Sequence, residues 1–498
     1  MILLYVALIS SSILLFYTIT QAYLALLYSR ARSKTDPDHN SPVPDQPEKW
    51  PSVLVQLPIY NEPLVVERLL RAVSKFDYSL HLLTIQVLDD SNDNTPDIVD
   101  TVVRELANTG LNIKHIRRGN RDGYKAGALR HGMQQDSSEF IAIFDADFIP
   151  DPDFIKKTVA YFQLPDVGLV QTRWLHLNAD ESLLTKLLAF AIDGHFSVEQ
   201  GGRQAGGYFT NFNGTAGILR RQAVEDAGGW QDDCLTEDLD LSFRLQLKGW
   251  RIRFVEEIST PSELPGNMSA IKSQQFRWTK GACETARKNL YDLWKSDNSL
   301  MTRFVGSMHM LNSCAFFLMF VMSVCAIPLI LLTTSADAPI LIPIMATQAG
   351  GLLCMVLVYW VSNVRSLAEY RTSSLWTILS RSVLLSLMQI GISMGNAGAV
   401  VQGLVGYRTE FVRTPKFHGD SHKLNERYEM KFIRESVTWR LCAEGLFFCL
   451  LLASTVAGLL MQNYLLLPYA IFITLSYGMV LAWSLKEVVN AVRYSPAS

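Results

Sequence analysis

No excess of basic charge marks this chain. Its 45 Lys and Arg face 47 Asp and Glu, a formal net charge of −2. That balance excludes a general nucleic-acid binder, which needs a basic surface. Cysteine is scarce: seven residues, none in C-x-x-C or zinc-like spacing. A disulfide framework and a structural zinc site are thereby excluded, and the thiols read as small apolar side chains in a reducing compartment. Internal repeats and long low-complexity segments are missing, which excludes a repeat array. The first 28 residues lack the basic start of a secretion signal, and they are too long for its apolar segment. They are long enough to span a bilayer.

What is present is distributed unevenly. Residues 50 to 300 read as a mixed soluble domain, and both ends carry long apolar runs. Arg30, Arg32 and Lys34 follow the first run. The positive-inside rule then places residue 1 outside and the central domain in the cytosol. A Pro- and Asp-rich linker covers 29–50. Further candidate spans are 308–332, 339–361, 376–404, 440–461 and 464–485. The connection 362–375 carries Arg365 and Arg371. The loop 406–438 carries Arg408, Arg413, Lys416, Lys423, Arg427, Lys431 and Arg434. Both should be cytosolic, so segment 376–404 starts and ends on one side. It also holds Arg381, Gln389, Asn396 and Gln402, costly content for a lipid-facing span. It is expected to be interfacial or re-entrant. Five spans remain: 1–28, two within 303–361, and two within 439–485, with a cytosolic tail at 486–498. Asn213-Gly-Thr and Asn267-Met-Ser match the glycosylation pattern but fall in the cytosolic domain, where they stay unmodified.

Within the central domain, "SVLVQLPIY", "LLTIQVLDDS" and "FIAIFDADF" are short apolar runs, the last two ending in acids. Amphipathic stretches at 64–75, 96–108 and 124–135 separate them. The alternation predicts a parallel sheet with helices on its faces. Ligands bind beyond the carboxyl ends of such strands. Asp89, Asp90, Asp145 and Asp147 sit there. Asp145-Ala146-Asp147 can offer oxygens to one hard cation, and a strand end with solvated acids is the plain alternative. Asp89 and Asp90 can accept hydrogen bonds from a base or ribose, or form an Asx-type turn. "NRDGYKAGAL" sets Lys125 among small residues, which suits a phosphate or simply begins a basic helix. "CLTEDLDLSF" carries Glu237 and Asp238 behind Thr236. These read as an N-cap with acids in the first turn, or as a general base kept ionised by that helix end. "QQFRW" places Gln274, Arg277 and Trp278 at helical spacing, as either an amphipathic membrane-surface helix or a diphosphate- and sugar-binding face.

Taken in order, Asp89-Asp90, Asp145-Ala146-Asp147, Thr236-Glu237-Asp238 and Gln274 to Trp278 resemble the signature of membrane-embedded family 2 glycosyltransferases. "VQLPIYNE", "GYKAGAL", "AIFDADFIP", "GLVQTRW" and "FNGTAGILR" are similar to cellulose-synthase-like A proteins, the mannan and glucomannan synthases, and to their bacterial relatives. The resemblance implies an α/β GT-A domain over 51–272, inserted between membrane helices, and interfacial helices over 273–302. "FVRTPK" within 406–438 resembles the cellulose synthase gating loop, with Arg413 where Val is expected and Thr414 and Lys416 retained. No cyclic-dinucleotide receptor domain is expected after the last span.

The resemblance also implies roles. Asp238 would be the catalytic base. Asp89, Asp90, Lys125, Asp145, Gln274, Arg277, Thr414 and Lys416 would bind the nucleotide and diphosphate. Asp145 and Asp147 would hold a divalent cation, Mg²⁺ or Mn²⁺. Phe212, Asn213, Gly214, Thr215, Glu237 and Trp278 would face the acceptor. Implied partners are a nucleotide-sugar donor (GDP-mannose or UDP-glucose), a growing glycan and the bilayer, with room for a homo-oligomer. The expected activity is inverting and processive, giving a β-linked polymer, β-1,4 in the implied case, that crosses the membrane past Asn312, Ser313 and Glu444. A non-processive, ceramide-type lipid glycosyltransferase is the alternative. A transporter or binding protein with a dead domain is a third reading, disfavoured by the intact motifs. A bacterial plasma membrane and a Golgi membrane fit equally.

Overall fold

A computed structural model describes residues 1–33, 47–333, 337–365, 374–409, 429–433 and 439–493. Its centre is a seven-stranded sheet ordered β3-β2-β1-β4-β6-β5-β7. The strands are β1 (Val53–Ile59), β2 (Leu83–Asp89), β3 (Ile113–Arg117), β4 (Phe140–Ile143), β5 (Val167–His176), β6 (Gly217–Arg220) and β7 (Arg251–Ser262). β1 is buried except at the half-buried Pro58 and apolar except at Gln56, as expected of a strand covered on both faces. The covering helices follow from periodicity. α1 (Ile2–Ser33) precedes the sheet, and α2 (Val66–Val73) buries Val66, Leu69, Leu70 and Val73 on one stripe. α3 (Thr95–Ala107) and α4 (Tyr124–Met133) fall where the sequence pattern puts them.

The sheet is mixed, which corrects the expected parallel one. β1 to β4 are mutually parallel, and β5 is parallel to β7. β6 runs antiparallel to both β4 and β5. Its first residue, Gly217, pairs with Ile143 at the carboxyl end of β4. The chain thus arrives already at that edge and runs back, with no crossover to force a parallel strand.

Short helices α5 (Phe154–Val159), α6 (Leu183–Gly194), α7 (Gly202–Ala205), α8 (Arg221–Asp226) and α9 (Glu237–Leu247) complete the domain. A π-helical stretch, His195–Gly201, joins α6 to α7. α10 (Met268–Lys295) then begins ahead of Gln274 and carries the Q-x-x-R-W residues in its interior. It is followed by α11 (Leu300–Met310), α12 (Cys314–Leu332), α13 (Ala338–Arg365), α14 (Leu375–Gly391), α15 (Ser393–Val405), α16 (Trp439–Leu460) and α17 (Leu467–Arg493).

Among the described residues, five helices are long and apolar enough to cross a membrane: α1, α12, α13, α16 and α17. α14 and α15 are bent by 57° at a break and make a sixth passage only if they count as one span. The segment expected to be interfacial or re-entrant is this bent pair. The helix ends sort into two groups. Far from the sheet, Leu4, Ala7, Leu329, Leu341 and Leu466 share one apolar cluster, and Asn463 Nδ2 donates to the Ile330 carbonyl at 3.1 Å. Near the sheet, Ser197 meets Ser362 at 2.8 Å, and Glu487 of α17 accepts the Met268 N–H at 2.5 Å. α1 continues past residue 28 to Ser33, so the expected linker starts inside a helix.

Glu444, a candidate polar contact among the spans, is ion-paired with Lys272 of α10 at 2.5 Å, and Lys272 also donates to Ser484 at 3.0 Å. A carboxylate beside apolar helices needs such a partner. Asn312 and Ser313 lie between α11 and α12, where Ser313 Oγ donates to Asn312 Oδ1 at 3.1 Å.

Candidate active site

The carboxyl ends of β1, β2 and β4 open onto a cavity whose far wall is α10. Asp90, Lys125, Asp145, Asp147, Asn213, Gly214, Glu237, Asp238, Gln274, Arg277 and Trp278 all line it. They come from β2, α4, the β4 end, the loop before β6, α9 and α10.

Each is held by its neighbours. Asp145 N–H donates to Thr215 Oγ1 at 2.9 Å, and Lys125 Nζ donates to Asp145 Oδ1 at 2.5 Å and to the Gly214 carbonyl at 3.0 Å. Burial works against the Lys125 ammonium, but Asp145, Glu237 and Asp238 together hold its pKa above the ordinary lysine value. Asp90 is ion-paired with Arg118, whose Nε reaches Oδ1 at 2.9 Å. Asp147 is buried, and its Oδ2 accepts the Glu263 N–H at 3.3 Å.

Asp238 and Glu237 occupy the first turn of α9. Asp238 Oδ1 accepts the Leu239 N–H at 2.8 Å. The helix end does not act on Asp238 alone. Burial raises its pKa more than Lys125 and the helix N–H groups lower it. Glu237 is pushed up to about 7, by burial first and then by Asp238. Thr236 stands at the N-cap position but makes no capping bond. Its hydroxyl meets Thr285 of α10 at 3.4 Å instead.

Three expected site residues do not line the cavity. Asp89 is buried and bonded to His115 at 3.0 Å, while His115 also meets Asp100 at 2.6 Å. Burial favours the protonated acid, yet His115 and the Ser91 N–H hold Asp89 below its usual range. Phe212 is fully buried in the apolar layer with Leu241 and Leu245. Thr215 acts on Asp145 from behind. Thr414 and Lys416 lie outside the described residues.

The cavity also contains residues that sequence reasoning passed over. Tyr60 directly follows β1, and the Arg121 guanidinium lies 3.4 Å from its ring centroid. His176, at the end of β5, and Glu263 line the cavity beside Asp147. Burial, with Arg173 nearby, lowers the His176 pKa to about 3, so the ring is neutral. A strand-end position was the available signal for both Tyr60 and His176.

Among the described residues, no three His, Cys, Asp or Glu side chains stand close enough to enclose an ion alone. Asp145 and Asp147 nonetheless fit Mg²⁺ or Mn²⁺, which bind through one or two carboxylates and take further oxygens from substrate phosphates.

Residues 51–281 match the family described as glycosyltransferase like family 2. The chain is 43% identical over 246 residues to a probable glucomannan 4-beta-mannosyltransferase 11 of Arabidopsis thaliana, covering 48% of this chain and 56% of the relative. It is 40% identical over 299 residues to glucomannan 4-beta-mannosyltransferase 1 of Oryza sativa subsp. japonica, covering 57% of each. The chain thus spans about half the length of the curated relatives it matches. Among solved structures, a mannosyltransferase from Pyrobaculum calidifontis in complex with GDP-Man and Mn²⁺ superposes with a TM-score of 0.53 at 18% identity, over 80% of this chain and 100% of that one. That likeness shows the GT-A fold.

Proposed function

We propose that this chain, whose residues 51–281 match the family described as glycosyltransferase like family 2, is an inverting, processive hexosyltransferase building a β-1,4-linked mannan or glucomannan from GDP-mannose. One observation carries the proposal. Asp145, Asp147, Asp238 and the Gln274–Arg277–Trp278 face, far apart in sequence, line one cavity walled by α10. The choice of GDP-mannose over UDP-glucose is supported by the mannosyltransferase relatives and by the GDP-Man complex of the archaeal neighbour.

In this mechanism Asp238 takes the proton of an acceptor hydroxyl, which attacks the anomeric carbon opposite the leaving diphosphate. An α-linked donor therefore gives a β-linked product. Lys125 and Arg277 put positive charge beside the diphosphate, and Trp278 offers a flat face to the acceptor sugar. Asp145 and Asp147 would hold a divalent cation, whose chemistry is to neutralise charge on the departing diphosphate. The domain faces the cytosol, so product enters the spans from that side. Purified protein in nanodiscs, given GDP-mannose, UDP-glucose and UDP-N-acetylglucosamine in parallel with Mg²⁺ or Mn²⁺, tests the donor. Long product digestible by a β-1,4-mannanase supports the proposal, and one sugar on a lipid supports the ceramide-type alternative.

Two expectations follow from the geometry. The acid limb of kcat lies above the ordinary aspartate range near ~3.9, because Asp238 works only when deprotonated and burial raises its pKa. Activity is lost as pH falls through that raised value; a kcat–pH profile with its limb below pH ~4 contradicts the base assignment. Second, Gly214 has φ +83°, and a Cβ there would stand 2.9 Å from Asp238 Oδ2 and 3.5 Å from Lys125 Nζ. Gly214→Ala should lower kcat about 10²-fold, the scale of a small misplacement of reacting groups. Single-turnover kinetics at saturating donor measure it.

A further inference from the structure

The face of α10 that carries Gln274, Arg277 and Trp278 does not stop at the cavity. At helical spacing it continues through Gly281, Glu284, Thr285, Lys288 and Asn289. These residues share one target, the segment 231–240 that leads into and contains Asp238. Glu284 Oε2 accepts the backbone N–H of Leu235 at 2.7 Å. Lys288 donates to Gln231 Oε1 and Asp233 Oδ1, both at 2.6 Å, and to Asp240 Oδ2 at 3.1 Å. Asn289 Nδ2 donates to Asp240 Oδ1 at 2.9 Å. Gly281 is the point of closest approach. A Cβ there would lie 2.5 Å from Thr236 Cγ2 and 2.8 Å from the Thr236 backbone nitrogen.

We infer that Gly281 and Glu284 are positioning residues for the transfer reaction, fixing Asp238 relative to Arg277 and Trp278 through a single rigid helix. The inference rests on the function proposed above. Its physical basis is that α10 is one element of 28 residues. Groups grasped by its second half are therefore held in register with groups presented by its first half. Without a side chain at Gly281, the turn entering α9 seats directly on α10. Without the Glu284 carboxylate, the Leu235 N–H loses the acceptor that fixes the chain just ahead of Asp238. Neither residue lines the wall near Asp90 or Tyr60, so nucleotide binding should be indifferent to both. Ordinary helix packing would show contacts scattered along the neighbouring element. Here they converge on one short segment, and one of them is to its backbone.

The test compares Gly281→Ala, Glu284→Ala and Glu284→Gln with the unaltered chain in nanodiscs, measuring kcat for transfer and, separately, GDP binding. Alanine is the better helix former, so Gly281→Ala does not threaten α10 itself. We expect Gly281→Ala and Glu284→Ala each to lower kcat about 10²-fold with GDP affinity within about twofold of normal. Glu284→Gln, whose amide oxygen accepts the same N–H, should recover most of the loss. Variants that keep normal kcat overturn the inference. So does a fall in GDP binding that parallels kcat, or a Glu284→Gln as impaired as the alanine form. If the unaltered chain transfers no sugar from any donor, the proposed function falls and this inference with it. If it transfers sugar and the variants are indifferent, the inference alone falls.

Discussion

Asp238→Asn is expected to lower sugar transfer by about 10³-fold, within the range a general base contributes, while GDP still binds. The substitution keeps the shape of the side chain. Its amide oxygen can still accept the Leu239 N–H that Asp238 Oδ1 accepts at 2.8 Å, so the first turn of α9 stays in place. What disappears is the group that takes the acceptor proton. Lys125 loses one of its neighbouring charges but keeps Asp145 at 2.5 Å, so the diphosphate side of the cavity is spared. Separate assays of transfer and of GDP affinity distinguish this outcome from general damage, which would lower both.

Removing divalent cations should abolish turnover and leave the protein folded. Asp145 and Asp147 follow the end of β4, and the Lys125 ammonium donates to Asp145 from within the protein. The site therefore has an internal counter-charge and does not depend on metal for stability. The reaction does, because several kcal/mol of charge stabilisation on the leaving diphosphate is lost with the ion. EDTA treatment should drop transfer at least about 10²-fold with an unchanged melting temperature, and Mg²⁺ or Mn²⁺ should restore it. Undiminished transfer in EDTA would show that Lys125 and Arg277 carry the leaving-group charge unaided.

Much of this was legible in the sequence, for identifiable reasons. β1, β2 and β4 are mostly apolar runs, broken in β1 by Gln56 and in β2 by Thr84 and Gln86, that lead into acids or turn residues, and burial on both faces leaves that mark. The helices long and apolar enough to cross a membrane were legible because lipid demands long apolar runs. β6 was not, since "GILR" is too short to show a period and its direction depends on where the preceding loop delivers it. Of the pair Asp89 and Asp90, the sequence could not say which faces the cavity. Asp89 is the last residue of β2 and turns into the layer occupied by His115, and Asp90 reaches the opening. The partners of α10 were hidden because they come from far along the chain. Lys272 meets Glu444, Met268 meets Glu487, and Glu284 meets Leu235. No local pattern encodes such pairings.

The most direct test of the account is to supply radiolabelled GDP-mannose and Mn²⁺ to the unaltered chain and to Asp238→Asn in nanodiscs, then measure label in material that a β-1,4-mannanase releases. The account predicts polymer from the first and none above background from the second. Equal polymer from both proteins, or label confined to a single sugar on lipid, would contradict it.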